Sequence, residues 1–425
     1  MNMMTKTDRS GTNLAAPVRA NGDGPKVLRA GFIPLVDASV LIAAAEFGFA
    51  AKEGLTLDLV KDVSWANVRD RLAFRQFDIA HMLSPMPVAS MLGLGSNPSP
   101  TITPFSLGRG GNAITLSTRL FERMRETAGL SETAGALENA QALAAVIRSM
   151  KANAETLPTL GMTYPFSSHN YEFRYWLAAG GIDPDRDVKL VVVPPPLTSD
   201  ALAAGAIDGF CVGAPWNMVA SERGVGRIVA AKQDIWPSAP EKVIAMRPEW
   251  AESHPEIVSR LIVSLDAAAR WCDQAENHDA LAEVLAGPRF IAAPVSIIRH
   301  VLSGEFSLDA KGNRRIIADY FTFHRGFANY PRPSHALWIY SQMIRWGQVE
   351  SSANGLRAAA AAYRPDLYRT ALGIGPTEPD VGVEGDRDGD RFMDGHVFDP
   401  SKMANYVENF AVSNSLAAPA DRHEI

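Results

Sequence analysis

The feature that most constrains this chain is an alternation of short apolar runs with amphipathic stretches, which occurs twice. In the first block, strand-like runs at residues 26–33, 55–60, 78–81, 101–105 and 113–117 are separated by helix-like stretches at 35–49, 67–76 and 85–92. A second block repeats the pattern, with strand-like runs at 159–163, 187–193, 207–212 and 227–230. Strands and helices alternating at this spacing make doubly wound α/β sheets. From Pro248 onward the pattern is helical. The expected fold is therefore α/β and bilobed, with a ligand cleft between two doubly wound lobes. The expected boundaries are a disordered leader at 1–25, lobe I at 26–112 and 247–372, and lobe II at 113–246. Residues 373–425 form a C-terminal extension whose Gly, Asp and Pro content predicts partial disorder.

Composition removes several function classes. The net charge is −6, so no basic surface for direct nucleic-acid binding is expected. The two cysteines, Cys211 and Cys272, make no disulfide framework and read as buried thiols. The polar first 26 residues carry no apolar run of signal-peptide length, and no stretch of membrane-spanning length lacks charges. The expectation is a cytoplasmic protein with no membrane partner. Gly108-Arg-Gly-Gly lacks the Gly-Lys-Ser/Thr of a phosphate loop. Asp386-Arg-Asp-Gly-Asp390 resembles a calcium loop, but its glycine falls two places early and the final Glu is missing. The nine histidines and two cysteines show no zinc spacing. No Ser, His and Asp stand at nucleophile-elbow spacing. No metal, cofactor or catalytic residue is expected.

The stretch from Gly161 to Leu177 reads as a strand end, a turn and a helix start. Ser167 or Ser168 is suited to cap the helix, because a hydroxyl satisfies an orphan N–H. His169 then sits in the first turn, where a small anion is favoured. Three further residues stand at strand ends: Trp65, Asn112 and Lys242. A lysine supplies charge and three donors, an amide directional N–H groups, and an indole an N–H or a flat apolar face. Each alone has a plain reading, as solvated lysine, turn asparagine, packed aromatic or capping histidine.

Read together with longer motifs, these positions resemble the solute-binding proteins of nitrate and bicarbonate ABC transporters, which implies a bilobed α/β fold of the periplasmic-binding-protein type II kind. The resemblance runs from about residue 26 to about 372. It rests on Gly31-Phe-Ile-Pro-Leu-Val-Asp37, Val63-Ser-Trp65, Ala80-His-Met-Leu-Ser-Pro-Met-Pro87, Arg174-Tyr-Trp-Leu-Ala-Ala-Gly-Gly181, Val193-Pro-Pro-Pro196, Asp208-Gly-Phe-Cys-Val-Gly213, Pro215-Trp-Asn217, Trp271-Cys-Asp273 and Arg345-Trp-Gly347. It implies nitrate or nitrite as ligand, held by Trp65, Asn112, His169 and Lys242, with Gly213 and Trp216 beside them. Two departures bear on pocket size: Asn112 stands where a glutamine is usual, and Gly213-Ala-Pro-Trp216 where Gly-Glu-Pro-Trp is usual. Bicarbonate relatives rely on calcium and acidic ligands, whereas Lys242 balances a monovalent anion directly. Without an export signal, the resemblance points to the cytoplasmic nitrate/nitrite sensors of the NasS type. Their partner is an RNA-binding antiterminator of the ANTAR class (NasT type), released when the anion binds. The alternatives are a transport-associated binding protein and, against the anion-site motifs, an enzyme of the same fold.

Overall fold

In a computed structural model of the chain, residues 26–375 and 391–414 are described. The expected leader, and the calcium-loop-like stretch at 386–390, lie outside these residues. The chain forms strands β1 (Lys26–Phe32), β2 (Leu55–Lys61), β3 (Ile79–Leu83), β4 (Ile102–Ser106), β5 (Arg109–Gly110), β6 (Asn112–Ser117), β7 (Thr159–Met162), β8 (Lys189–Val192), β9 (Gly209–Gly213), β10 (Gly226–Ala231) and β11 (Lys242–Met246). Two five-stranded sheets result, ordered β2-β1-β3-β11-β4 and β10-β6-β9-β7-β8. Each is mixed: β1 runs parallel to β2 and β3, and β7 parallel to β8 and β9, while β11, β6 and β10 pair antiparallel. The two sheets define two lobes.

The chain passes between lobes at residues 107–111 and again at 232–241. The first crossing is the glycine-rich loop. Gly110 and Gly111 have φ of 84° and 90°. A Cβ would meet Tyr320 O at 2.0 Å and the Phe321 ring at 2.4 Å, so side chains are excluded where residues 320–321 pack on the loop. The second crossing corrects the sequence-based boundary. Lys242–Met246 was assigned to lobe II, but β11 lies between β3 and β4 in the first sheet. All five of its residues are buried, as an inner strand of a covered sheet requires.

A second correction concerns residues assigned to lobe I and to the tail. Trp338, Ile339 and Met343, from the helix Pro333–Arg345, share one core cluster with Leu143, Tyr175 and Trp176 of the second lobe. Phe392, Phe398 and Tyr406 join the same cluster. Residues 391–414 of the extension expected to be partly disordered thus dock on the second lobe. Phe392 stacks on Tyr175 at 4.7 Å and lies 4.8 Å from Trp236, and Tyr175 Oη donates to Asp394 Oδ1 at 2.8 Å. The Arg345 guanidinium lies 3.5 Å from the centre of the Phe410 ring and donates to Val412 O. Aromatic burial of this size outweighs a composition poor in helix formers. Phe392→Ala is expected to lower unfolding free energy by about 3–5 kcal/mol in a denaturant titration. An unchanged midpoint would show that the segment does not dock.

Candidate functional site

Local chemistry places each candidate at an element end facing the cleft. Ser167 caps the helix Ser168–Ala179: its Oγ accepts from Asn170 N at 2.9 Å and donates to Tyr164 O at 2.6 Å. His169 follows in the first turn and is fully buried. Trp65 opens the helix Trp65–Ala73. Asn112 opens β6 and Lys242 opens β11. Gly213 closes β9 as the register partner of Asn112. A Cβ at Gly213 would sit 3.0 Å from Asp37 Oδ2 and 3.5 Å from Asn112 Oδ1, so this glycine leaves room for both. Trp216 stands apart from the polar groups. Its indole N–H bonds Pro34 O across the lobes at 3.3 Å, and its ring packs on the apolar cluster that holds Trp65.

The candidates converge on a buried network of charges. Lys242 Nζ lies 2.7 Å from Asp37 Oδ2 and also pairs with Glu241 Oε1. Asp37 Oδ1 is 3.0 Å from His81 Nε2, and His81 Nδ1 accepts from Ile33 N. Neither Asp37 oxygen has a well-aimed hydrogen bond, so charge holds it. Glu241 Oε2 accepts from Asn112 Nδ2 at 2.6 Å, Ser168 Oγ at 2.6 Å and Lys232 Nζ at 2.5 Å. Lys232 also pairs with Glu172 Oε1 at 2.6 Å, and Asn112 Nδ2 bonds Glu172 Oε2 at 3.1 Å. His169 Nε2 is 3.6 Å from Glu241 Oε1, and its Nδ1 is 3.0 Å from Thr163 Oγ1. The Lys242 ammonium lies 5.7 Å from the centre of the Trp65 ring. Three polar atoms of the candidates are buried without a hydrogen-bond partner: Trp65 Nε1, Asn112 Oδ1 and His169 Nε2.

Burial and charge act against each other in the titrating groups. Burial alone would raise the Glu241 carboxyl, but the Lys232 and Lys242 ammonium groups outweigh it and hold it well below its usual range. Asp37 is likewise lowered, burial being outweighed by Lys242 and then His81. Glu172 contacts a single ammonium; burial pushes it up to about 7, against the pull of Lys232 and with a further push from Glu241. His169 is pushed down to about 3, by burial first and then by Lys242, so the imidazole is neutral. Burial also lowers His81, against the pull of Asp37.

The structure thus gathers Trp65, Asn112, His169, Lys242 and Gly213, and leaves Trp216 at the apolar rim. It also corrects their expected division between the lobes. Lys242 and Trp65 belong to the first lobe, facing His169 and Asn112 from the second. The sequence reading missed Asp37, His81, Glu172, Lys232 and Glu241. A signal existed: Glu172 interrupts an aromatic run and Asp37 an apolar one, and buried charge is rare unless paired. The space beside Asp37, Glu241 and Lys242 is only about 10 Å³, room for roughly one water. A larger cavity of about 440 Å³ lies along β10, and none of the six candidates lines it. Among the described residues no group of three or more His, Cys, Asp or Glu is placed to hold a metal ion. No described helix is long and apolar enough to cross a membrane.

Residues 21–286 match the model of the NMT1-like family. The nitrate import ATP-binding protein NrtC of Synechocystis is 35% identical over 410 residues, which cover 95% of this chain but 58% of that longer protein. The nitrate/nitrite binding protein NrtA of Synechococcus elongatus is 32% identical, with 96% and 91% of the two chains covered. The bicarbonate-binding protein CmpA of a Synechococcus is 30% identical, with 92% and 88% covered. The crystal structure of the periplasmic nitrate-binding protein NrtA from Synechocystis superposes with a TM-score of 0.82 at 28% identity, covering 92% of this chain and all of that one. The chain belongs to the NMT1-like family and is close within it to the nitrate- and bicarbonate-binding proteins of ABC transporters.

Proposed function

We propose that this chain binds a small planar monovalent oxyanion, nitrate or nitrite, between its lobes as the solute-binding component of an ABC transporter. One observation carries the reading: the unpartnered N–H of Trp65 and the unpartnered Nε2 of His169 belong to the same buried network as the Lys242 ammonium. Donors of this kind satisfy an oxyanion, and contacts from both lobes are complete only when the lobes close. Nitrate is favoured over bicarbonate with calcium because Lys242 Nζ already stands between Asp37 and Glu241, where a cation would go. A permease partner in the membrane follows from the transport reading, in place of the expected absence of membrane partners.

The finer reading uses the same closure as a switch. In it the protein is a cytoplasmic sensor, and anion binding releases an ANTAR-class antiterminator of nitrate-assimilation genes. Co-purification of that partner, lost on adding nitrate or nitrite, supports the sensor. Stimulation of permease-dependent nitrate uptake, with no such partner, supports transport.

Calorimetric titration with nitrate, nitrite and bicarbonate tests the ligand; binding of bicarbonate alone would refute the nitrate assignment. Lys242→Ala is expected to weaken nitrate binding by about 2–5 kcal/mol. It should also lower folding stability by about 3–5 kcal/mol, because Asp37 and Glu241 lose their shared cation. His169→Ala is expected to cost about 1–2 kcal/mol of binding. Unchanged affinity in the lysine variant, or an equal loss in the histidine variant, contradicts the assigned roles.

A further inference from the structure

The proposed anion would join a closed network that already holds more negative than positive groups. Asp37, Glu172 and Glu241 face Lys232 and Lys242, and all five are at most 4% exposed. With every carboxylate ionised, the network carries one surplus negative charge before any ligand arrives. His169 is neutral, and burial favours the neutral form of His81 as well. A buried anion beside uncompensated carboxylates is strongly disfavoured, and such groups neutralise by taking up protons.

Glu172 is the carboxylate placed to do so. It is held by one ammonium and one amide, whereas Glu241 is held by two ammonium groups, an amide and a hydroxyl. The other groups acting on it come from every element around it. Lys232 belongs to the second crossing, Glu241 and Lys242 to the start of β11, Asn112 to β6, and His169 to the same helix. Cys211 on β9 and Tyr320 also lie within its field, and burial keeps both in their neutral forms. Burial brings the Glu172 carboxyl up to about 7, whereas Glu241 is held well below its usual range.

We infer that anion binding is coupled to protonation of Glu172, so that the site takes up the anion together with one proton from solvent. The proton adds to a Glu172 carboxylate oxygen, no bond of the anion is broken, and the network gains no net charge. Glu172 is thus a residue that sets anion affinity without offering the anion its charge. The inference rests on the anion reading above.

The sign follows from linkage. Binding raises the proton affinity of Glu172, so anion affinity is greatest where Glu172 is already protonated and falls as pH rises beyond about 7. The test is calorimetry of the full chain with nitrate and with nitrite, from about pH 6 to about pH 8.5, in two buffers of different ionisation enthalpy. Uptake approaching one proton per anion is expected above neutrality, with Kd rising toward about tenfold per pH unit there. The infrared difference spectrum, anion-bound minus free, should gain a protonated-carboxyl band. Glu172→Gln should remove the proton uptake and flatten the pH profile. Anion binding with no proton uptake in the wild-type protein overturns the inference and leaves the anion reading intact. Uptake that persists in Glu172→Gln overturns the assignment to Glu172. Failure of both anions to bind at any pH removes the anion reading and this inference with it. The wild-type calorimetry and infrared measurements decide the matter even if the variant does not fold.

Discussion

The Lys242 ammonium, bridging Asp37 and Glu241 between the lobes, is the interaction on which the rest of the site depends. Asp37 comes from the 3-10 turn Val36–Ala38 after β1, whereas Glu241 ends the return crossing and Lys242 follows it as the first residue of β11. A buried charge pair costs desolvation that its own attraction repays only with good geometry and further hydrogen bonds. Here the hydrogen bonds come from Asn112, Ser168 and Lys232 on the Glu241 side, while on the other side Asp37 Oδ1 lies 3.0 Å from His81 Nε2. Removing one member leaves another charge stranded. The network therefore fixes the crossing strand and the two helix starts together.

This arrangement bears on how an anion can be admitted. The Glu241 carboxylate is itself a planar oxyanion, and it lies among Asn112, Ser168, Lys232, Lys242 and His169. The free space beside it holds roughly one water. A ligand therefore needs the lobes to part, and it is then held beside that internal carboxylate. Lobe-to-lobe contacts such as Val36 N to Ala214 O at 2.9 Å and Arg69 to Tyr164 at 2.6 Å must break when the cleft opens. Ligand contacts made only on closure then set the balance between open and closed forms, which is the property both a transporter component and a sensor require.

Much of the fold was legible because its signals are local. Strand and helix periodicity marked both sheets, and the Ser167 hydroxyl marked the helix start that carries His169. What failed depends on distant pairing. Nothing in Lys242-Val-Ile-Ala-Met246 says that it slots between β3 and β4, and its nearness in sequence to β10 pointed to the wrong lobe. The docking of residues 391–414 was not foreseen because averaging over Gly, Asp and Pro hid Phe392, Phe398, Tyr406 and Phe410, which need a distant core to dock on. In the site, four residues were reached through resemblance, since a lone lysine or histidine is usually unremarkable. The acids that hold them were overlooked because their value lies in the partner each one meets. Lys242, whose plain reading alone is a solvated lysine, is fully buried and doubly paired.

The central claim is that a planar anion is held where Trp65, His169 and Lys242 converge. The most direct measurement is the electron density of crystals grown with nitrate. The account expects a planar three-oxygen ligand within about 3.2 Å of Lys242 Nζ and of the N–H of Trp65 or His169. Nitrate density found only in the cavity along β10, with the network around Lys242 unchanged, would contradict it.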